Sequence, residues 1–485
     1  MATQKTSKKA GIVLASSIIT ATSQAIILIL LARLLEKEVF GEIAKLIMIF
    51  RTAIILGNFG FNNNPFFFIP KLKESQRGSF FLQCLQILLL SGIVVGVISS
   101  GFFYYFFESY FIAGIFILTI CFELMSEVTP NFFIANGKAK SAAFFSIFSS
   151  LLNTAIILVV CLYSENILVN LTLGFLTYSV LRFLMTFFMN FKTITKQNET
   201  LPPNLLKEQF DFGVPLGFSQ LAFKLNKQID NYVVAFFFPN KVFAEYSVGS
   251  WEIPMALKIP YSITSVYLTK YTQLYDEGKF EELKNKFNQV TEKVILLLIP
   301  IASFFLIFGQ EIISLIFGAG FEQAGIVFQI YTITLFTRVA SYSSFLKSFG
   351  ESKFIFKVSV ILLILNLALN LIFIQFFGLF GAPIGTLLAN LVVLGLTLNK
   401  IAEMLNLKVS ELLPFSFYFK TIFVSLVLAF GIRFSAFQFL QSNLVVVLAS
   451  IPVFLIGFFG LGSIFKLIGS DEKEFVFSLI KGKKK

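Results

Sequence analysis

Residues 354–399 read FIFKVSVILLILNLALNLIFIQFFGLFGAPIGTLLANLVVLGLTLN, with Lys357 the only charge among them. A helix needs about 20 apolar residues to cross the hydrocarbon core of a bilayer, and this stretch holds two such runs on either side of Gly378-Leu379-Phe380-Gly381. The rest of the chain has the same character. Of 485 residues 56% are hydrophobic and 14% charged, with a mean hydropathy of +0.82. Soluble domains carry about 25% charge, so this composition cannot supply the charged shells that several soluble cores would need. The membrane is the solvent.

Sliding the same window along the chain predicts an all-α integral membrane protein of about fourteen spans: 10–32, 42–62, 79–104, 112–134, 141–163, 167–190, 212–237, 245–269, 294–316, 324–346, 354–376, 379–399, 415–436 and 444–465. The second and eighth are the weakest. The connections are too short to hold a further domain, the longest being 190–211 and 270–293. The first apolar run follows Lys5, Lys8 and Lys9 but is too long for a signal-peptide core and lacks a cleavage site, so it reads as a retained span.

Orientation follows from basic residues, which stay on the cytoplasmic side of a span. With the N-terminus inside, the even-numbered turns and both tails hold 28 Lys and Arg, including Lys483 to Lys485, against five on the other side: Arg33, Lys37, Lys45, Lys241 and Arg433. Both tails are therefore expected in the cytoplasm. The net charge of +12 is a topology signal, and no nucleic-acid partner is implied.

Two absences exclude chemistry. The chain has no histidine, which removes zinc hydrolases, His-ligated haem, His-dependent acyltransferases and Ser-His-Asp hydrolases. Cys84, Cys121 and Cys161 lie far apart in apolar stretches, so they read as packing residues rather than a metal knot or disulfide framework. No metal, cofactor or enzymatic activity is expected.

The chain repeats internally. At an offset of 213, Gly137, Lys140, Ser146, Leu152, Asn153 and Ala155 match Gly350, Lys353, Ser359, Leu365, Asn366 and Ala368; at 203, Ala32, Val39, Phe40 and Glu42 match Ala235, Val242, Phe243 and Glu245. Six spans recur as six spans in the same orientation, a parallel repeat of the kind that places substrate at the midplane. The expected division is a first lobe at 1–190, a cytoplasmic linker at 191–211, a second lobe at 212–402, and two further spans with a basic tail at 403–485.

Ten ionisable residues fall inside the spans: Arg51, Arg182, Lys224, Lys227, Lys258, Arg338, Glu123, Glu127, Asp230 and Glu252. Each costs roughly 2.5–3.5 kcal/mol at the centre of a lipid-facing helix, so they must face protein or water. Glu123, Glu127 and Asn131 share one helical stripe, and Arg51 with Asn58 shares another, so both halves of an ion pair are present in the first lobe. Arg182 and Arg338 also admit a snorkelling role near the cytoplasmic interface. As a set, the ten describe a hydrated, mildly basic cavity suited to an amphiphile with an anionic head. Arg51, Lys224, Lys227, Lys258 and Arg338 are the candidate substrate contacts.

At this point the chain resembles the polysaccharide-unit flippases (Wzx-type, O-antigen transporter group) of the multidrug/oligosaccharidyl-lipid/polysaccharide exporter superfamily. The resemblance lies in the fourteen-span plan and in a series of motifs: Ala32-Arg33-Leu34-Leu35 with Phe40-Gly41-Glu42, Asn58-Phe59-Gly60-Phe61, Phe212-Gly213-Val214-Pro215-Leu216, Asp230-Asn231-Tyr232, Phe317-Gly318-Ala319-Gly320-Phe321, and Gly381-Ala382-Pro383-Ile384-Gly385-Thr386. It implies translocation of an undecaprenyl-pyrophosphate-linked oligosaccharide repeat unit from the cytoplasmic to the outer leaflet of a bacterial plasma membrane, by alternating access of two lobes. It also implies membrane lipid, a polysaccharide polymerase and a chain-length regulator as partners in lipopolysaccharide-type assembly. Pro215, Pro254 and Pro383 are candidate hinges. No GxxxxGK[ST] phosphate loop is present, so an ion gradient is the expected motive force, with Glu123, Glu127, Asp230 and Glu252 as candidate carriers. Three rivals remain open from the residues: a drug or cation antiporter of the same superfamily, a peptidoglycan lipid-precursor flippase, and, from another class, a polysaccharide polymerase or membrane glycosyltransferase.

Overall fold

The computed structural model describes residues 2–195, 199–253, 256, 258–439 and 442–468. Packing divides the chain into two units, Met1–Asn231 with Phe237–Ala244, and Tyr232–Phe236 with Glu245–Lys485. The terminal lysines 483–485 and the candidate hinge Pro254 lie outside the described residues.

The first unit contains α1 (Ala2–Leu34), α2 (Lys37–Asn58), α3 (Asn64–Phe68), α4 (Arg77–Phe107), α5 (Tyr110–Glu127), α6 (Thr129–Ala135), α7 (Ala139–Tyr163), α8 (Ile167–Thr195) and the greater part of α9 (Leu205–Phe237). The fourth predicted span, 112–134, is divided between α5 and α6. Pro130 cannot donate to the carbonyl four residues back and its ring crowds it, so the helix breaks at Val128. Helices α4 and α5 approach closely because Gly92 and Gly96 leave no side chain between them: a Cβ would stand 3.0 Å from the Cys121 Cα and 3.2 Å from the Ile117 Cα. Small residues at such crossings let spanning helices pack backbone to backbone. Phe116 on α5 then stacks on Phe103 of α4 at 4.1 Å and meets Phe50 of α2 at 5.7 Å. Cys84 and Cys121 are buried in this packing.

The second unit follows with α10 (Asn240–Gly249, beginning within the first unit's residues), α11 (Lys258–Ser265), α12 (Leu268–Asp276), α13 (Phe280–Ile307), α14 (Gly309–Phe317), α15 (Glu322–Phe336), α16 (Tyr342–Lys347), α17 (Ser352–Phe377), α18 (Gly381–Leu405), α19 (Val409–Leu412), α20 (Phe415–Phe439) and α21 (Asn443–Ile464). Three predicted spans are corrected here. The eighth, 245–269, is two short helices with residues 250–253 between them non-helical; Trp251 packs there on Phe317 at 5.8 Å. The tenth, 324–346, is interrupted between Phe336 and Tyr342. The ninth, 294–316, begins earlier, at Phe280, and gives way to the separate α14. The stretch 270–293, expected as a loop, is helical apart from the turn at 277–279, because Leu283, Phe287 and Val290 recur at helical spacing and bury one face on Tyr271, Phe345 and Leu405. Outside the spans such apolar side chains are worth about 1.5–3 kcal/mol each when buried.

Among the described residues nine segments are long and apolar enough to cross a membrane, one of them, Ser352–Leu405, comprising α17 and α18. The expected spans absent from this set are the second, seventh, eighth and tenth. Two are the charge-bearing α2 and α9, and two are broken, α10–α11 and α15–α16.

The helix boundaries carry the repeat. Helices α1 and α9 are both 33 residues long and start 203 positions apart, as do α2 and α10, and α4 and α13. Helices α7 and α17 start 213 positions apart. Each follows a glycine in the left-handed region, Gly137 at φ 75° and Gly350 at φ 78°. The amide of Lys138 donates to the Phe133 carbonyl at 2.8 Å, and the equivalent Glu351 amide to Leu346 at 3.2 Å. One turn geometry is used twice, and both copies need a residue free to adopt positive φ.

Candidate functional site

A cavity of about 440 Å³ opens within the first unit, walled by α1, α2, α5, α7, α8 and the residue Gln228 of α9. Arg51, Glu123, Glu127 and Arg182 line it, together with polar residues such as Gln24, Ser149 and Asn153. Of the stripe predicted on the fourth span, Glu123 and Glu127, one helical turn apart on α5, line the cavity, whereas Asn131 falls beyond the break on α6 and donates to the Asn62 carbonyl at 2.8 Å.

Their cationic partner is Arg182. It is buried at 9% exposure, makes a close ion contact with Glu123 Oε1, and places Nη2 2.9 Å from Glu127 Oε1. The guanidinium fork suits two carboxylates at once. Asn58 Nδ2 donates to the other Glu127 oxygen at 3.4 Å, so α2, α5 and α8 are tied through one network. The snorkelling role considered for Arg182 does not hold, because α8 runs on to Thr195 and leaves Arg182 well inside the helix. Sequence reasoning missed its function, although Ser179, Arg182, Thr186 and Asn190 form a buried polar face that helical spacing makes visible.

Arg51 stands differently. It lines the same cavity, is exposed within it, and forms no hydrogen bond or ion pair among the described residues. Four buried polar atoms in the wall also have no hydrogen-bond partner among the described residues: Glu123 Oε2, Arg182 Nε, Ser149 Oγ and Asn153 Oδ1. A polar surface of this kind, with two guanidinium and two carboxylate groups and open donors and acceptors, is built to receive a polar or charged group together with water.

The remaining candidates are spread along other elements. Lys224 is half-buried, Lys227 exposed and Asp230 buried, all on α9, with Pro215 inside the same helix. In the second unit Glu252 and Lys258 flank the break between α10 and α11, while Arg338 lies in the break between α15 and α16, within electrostatic reach of Glu252. Pro383 sits in the first turn of α18, where a missing N–H breaks no helical hydrogen bond. The second unit also holds an ion pair that the sequence did not single out: Arg433 of α20 donates through Nε and Nη2 to Glu311 Oε1 of α14, at 3.0 and 2.6 Å.

Comparison with known proteins agrees with this architecture. A family model described as polysaccharide biosynthesis protein matches residues 30–325. The capsular polysaccharide biosynthesis protein CapF of Staphylococcus aureus is 24% identical over 288 residues, which is 56% of this chain and 70% of that protein. Among solved structures, the lipid II flippase MurJ in an inward closed conformation superposes with a TM-score of 0.73 at 16% identity, covering 93% of this chain and 98% of the other. An inward-facing multidrug resistance transporter of the MATE family superposes at 0.58 and 14% identity, covering 81% and 98%. At these identities the two structures establish the fold alone, an all-α arrangement of many membrane-spanning helices.

Proposed function

The chain belongs to the polysaccharide biosynthesis protein family, and from that premise we propose that it is a flippase carrying a polyprenyl-pyrophosphate-linked oligosaccharide repeat unit from the cytoplasmic to the outer leaflet of a bacterial plasma membrane. The observation that carries this reading is Arg51, a guanidinium unpaired among the described residues, in a polar cavity inside a membrane-spanning unit. Holding such a charge without a counter-ion costs several kcal/mol unless water or a ligand anion meets it. A pyrophosphate accepts bidentate hydrogen bonds from a guanidinium, and a sugar offers hydroxyls to Ser149 and Asn153.

The two lobes of the repeat move by alternating access, driven by an ion gradient, with Glu123, Glu127, Asp230 and Glu252 as carriers and Lys224, Lys227, Lys258 and Arg338 as further contacts for the anionic head. The lobes take the bounds 1–190 and 212–402, joined by the linker 191–211 and followed by 403–485. Pro215, Pro254 and Pro383 serve as bend points, both tails face the cytoplasm, and a polymerase and chain-length regulator act on the product as in O-antigen assembly. The similarity to a capsular polysaccharide protein makes a capsule-type repeat unit an equal candidate cargo.

A second reading, a peptidoglycan lipid-precursor flippase, is favoured by the structural likeness to MurJ. Complementation separates the two. Expression should restore surface polysaccharide in a strain lacking its repeat-unit flippase and should fail to rescue a strain lacking its lipid II flippase; the reverse pattern overturns the proposed cargo.

A further inference from the structure

Two motifs that lie outside the cavity lining, Asn58-Phe59-Gly60-Phe61, whose Asn58 donates to Glu127, and Phe212-Gly213-Val214-Pro215, meet in the first unit. A Cβ on Gly60 would stand 2.7 Å from the Gly213 carbonyl oxygen and 2.8 Å from the Gly217 nitrogen, and one on Gly217 would stand 2.4 Å from the Phe59 carbonyl oxygen. The turn after α2 therefore lies directly on the backbone of α9. Gly60 is also at φ 82°, and Phe59 beside it is held at φ 34° and ψ 37°, a left-handed conformation that a bulky residue keeps only under constraint. Phe59 meets Phe218, and Phe61 meets Phe210, each edge-to-face at 5.0 Å. An amide relay closes the contact: Asn64 Nδ2 donates to Gln209 Oε1 at 3.2 Å, and Gln209 Nε2 donates to Gln83 Oε1 at 2.6 Å.

The repeat gives this contact no counterpart. The 203-residue offset sets Ala10, Ile12 and Leu14 of α1 against Gly213, Pro215 and Gly217 of α9, and Ile263 against Gly60. The glycines that make the contact are thus not repeated in sequence, and three details suit a contact that lets go. Its closest approaches are between backbones at Gly60, Gly213 and Gly217, where no side chain stands between them. Pro215, between the two α9 glycines, removes a helical hydrogen bond and weakens the helix there. The relay is incomplete, since buried Asn64 Oδ1 has no partner. Helix α9 also places residues up to Asn231 with the first unit and Tyr232–Phe236 with the second, so it belongs to both.

We propose that Gly60, Gly213 and Gly217 are positioning residues that form a releasable latch. Engaged, the latch holds α9 so that Gln228 completes the wall of the Arg51 cavity. Released, α9 pivots at Pro215 and opens that wall to one face of the membrane. The substrate's identity does not enter, because the test reads access to the cavity rather than transport.

The test uses full-length protein in membrane vesicles, with Cys84, Cys121 and Cys161 replaced by Ala and the wall residue Ser150→Cys as a probe. A charged, membrane-impermeant thiol reagent is added from either face. Gly217→Val should speed labelling about tenfold from one face alone, the change expected when a two-state balance moves by one decade. In the same background, Asn64→Cys with Gln209→Cys, once oxidised to a disulfide, should slow labelling from that face below the parent rate, and a reductant should restore it. Equal acceleration from both faces, or rates unchanged in Gly217→Val, overturns the latch. If Gly217→Val does not accumulate in the membrane, the disulfide decides alone, and labelling unaffected by the cross-link overturns it.

Discussion

Arg182 of α8 lies 2.9 Å from the carboxylate of Glu127 on α5, and the same guanidinium also holds Glu123. One cation answering two anions leaves the triad with a surplus negative charge. The cavity thus contains an ionic frame of three charges beside Arg51, which makes no ion pair among the described residues.

Removing the frame's cation should be costly. Arg182→Ala strands the buried carboxylate of Glu123 beside the half-buried Glu127, and breaking a buried pair in this way costs about 3–5 kcal/mol. The expected outcome is a large drop in the thermal unfolding temperature of the detergent-solubilised protein. Arg182→Lys should recover little of it, because a single ammonium cannot present two parallel donors.

Arg51→Ala should behave in the opposite way. With no ion pair to lose, the folded state should change by about 0.5 kcal/mol or less, while polysaccharide export in a complementation strain collapses. A melting curve matching wild type beside lost export is the predicted pattern. Lost export with an equally lost fold would assign Arg51 a structural role.

The pair between Arg433 and Glu311 offers a test of buried charge in the second unit. Glu311 is buried at 6% exposure, so Arg433→Met alone should destabilise by about 3–5 kcal/mol. Pairing Arg433→Met with Glu311→Leu should recover most of that loss, since an apolar pair of similar volume needs no counter-charge. Melting temperatures of the two single variants and the double variant check this.

The repeated turn predicts matched effects at distant positions. Gly137→Ala and Gly350→Ala each force a side chain into the left-handed region, at about 1–2 kcal/mol, and the two should agree closely. Gly395 and Gly431 lie within α18 and α20 with open space where a Cβ would go, so alanine there should stabilise by about 0.5–1 kcal/mol.

Much of this was legible in the chain because a bilayer demands long apolar helices and little else satisfies it. The runs of α4, α7, α17 and α21 announce themselves, and the glycines at 137 and 350 reveal the repeat before any coordinates do. What the sequence obscures is depth. Arg182 reads as an interfacial residue when the sixth span ends at residue 190; with α8 continuing to Thr195, it becomes the centre of the charge network. Helices α2 and α9 read as spans but carry too much charge to be typical ones, which is what lining a cavity requires. The breaks near Trp251 and Arg338 depend on packing partners distant in sequence, so no local signal fixes them. The meeting of Phe59-Gly60 with Gly213 is equally invisible in one dimension, although both motifs stand out as glycine-bearing interruptions.

The central claim is movement of a lipid-linked repeat unit across the membrane, and its most direct measurement is the leaflet distribution of that lipid in cells carrying wild-type, absent or Arg51→Ala protein, read by an impermeant sugar-binding probe on intact spheroplasts and on inverted vesicles. Single repeat units should build up on the cytoplasmic leaflet in the latter two strains and reach the outer leaflet only with the wild-type chain. Single units accumulating unpolymerised on the outer leaflet in the strain lacking the protein would contradict it and point to a polymerase instead.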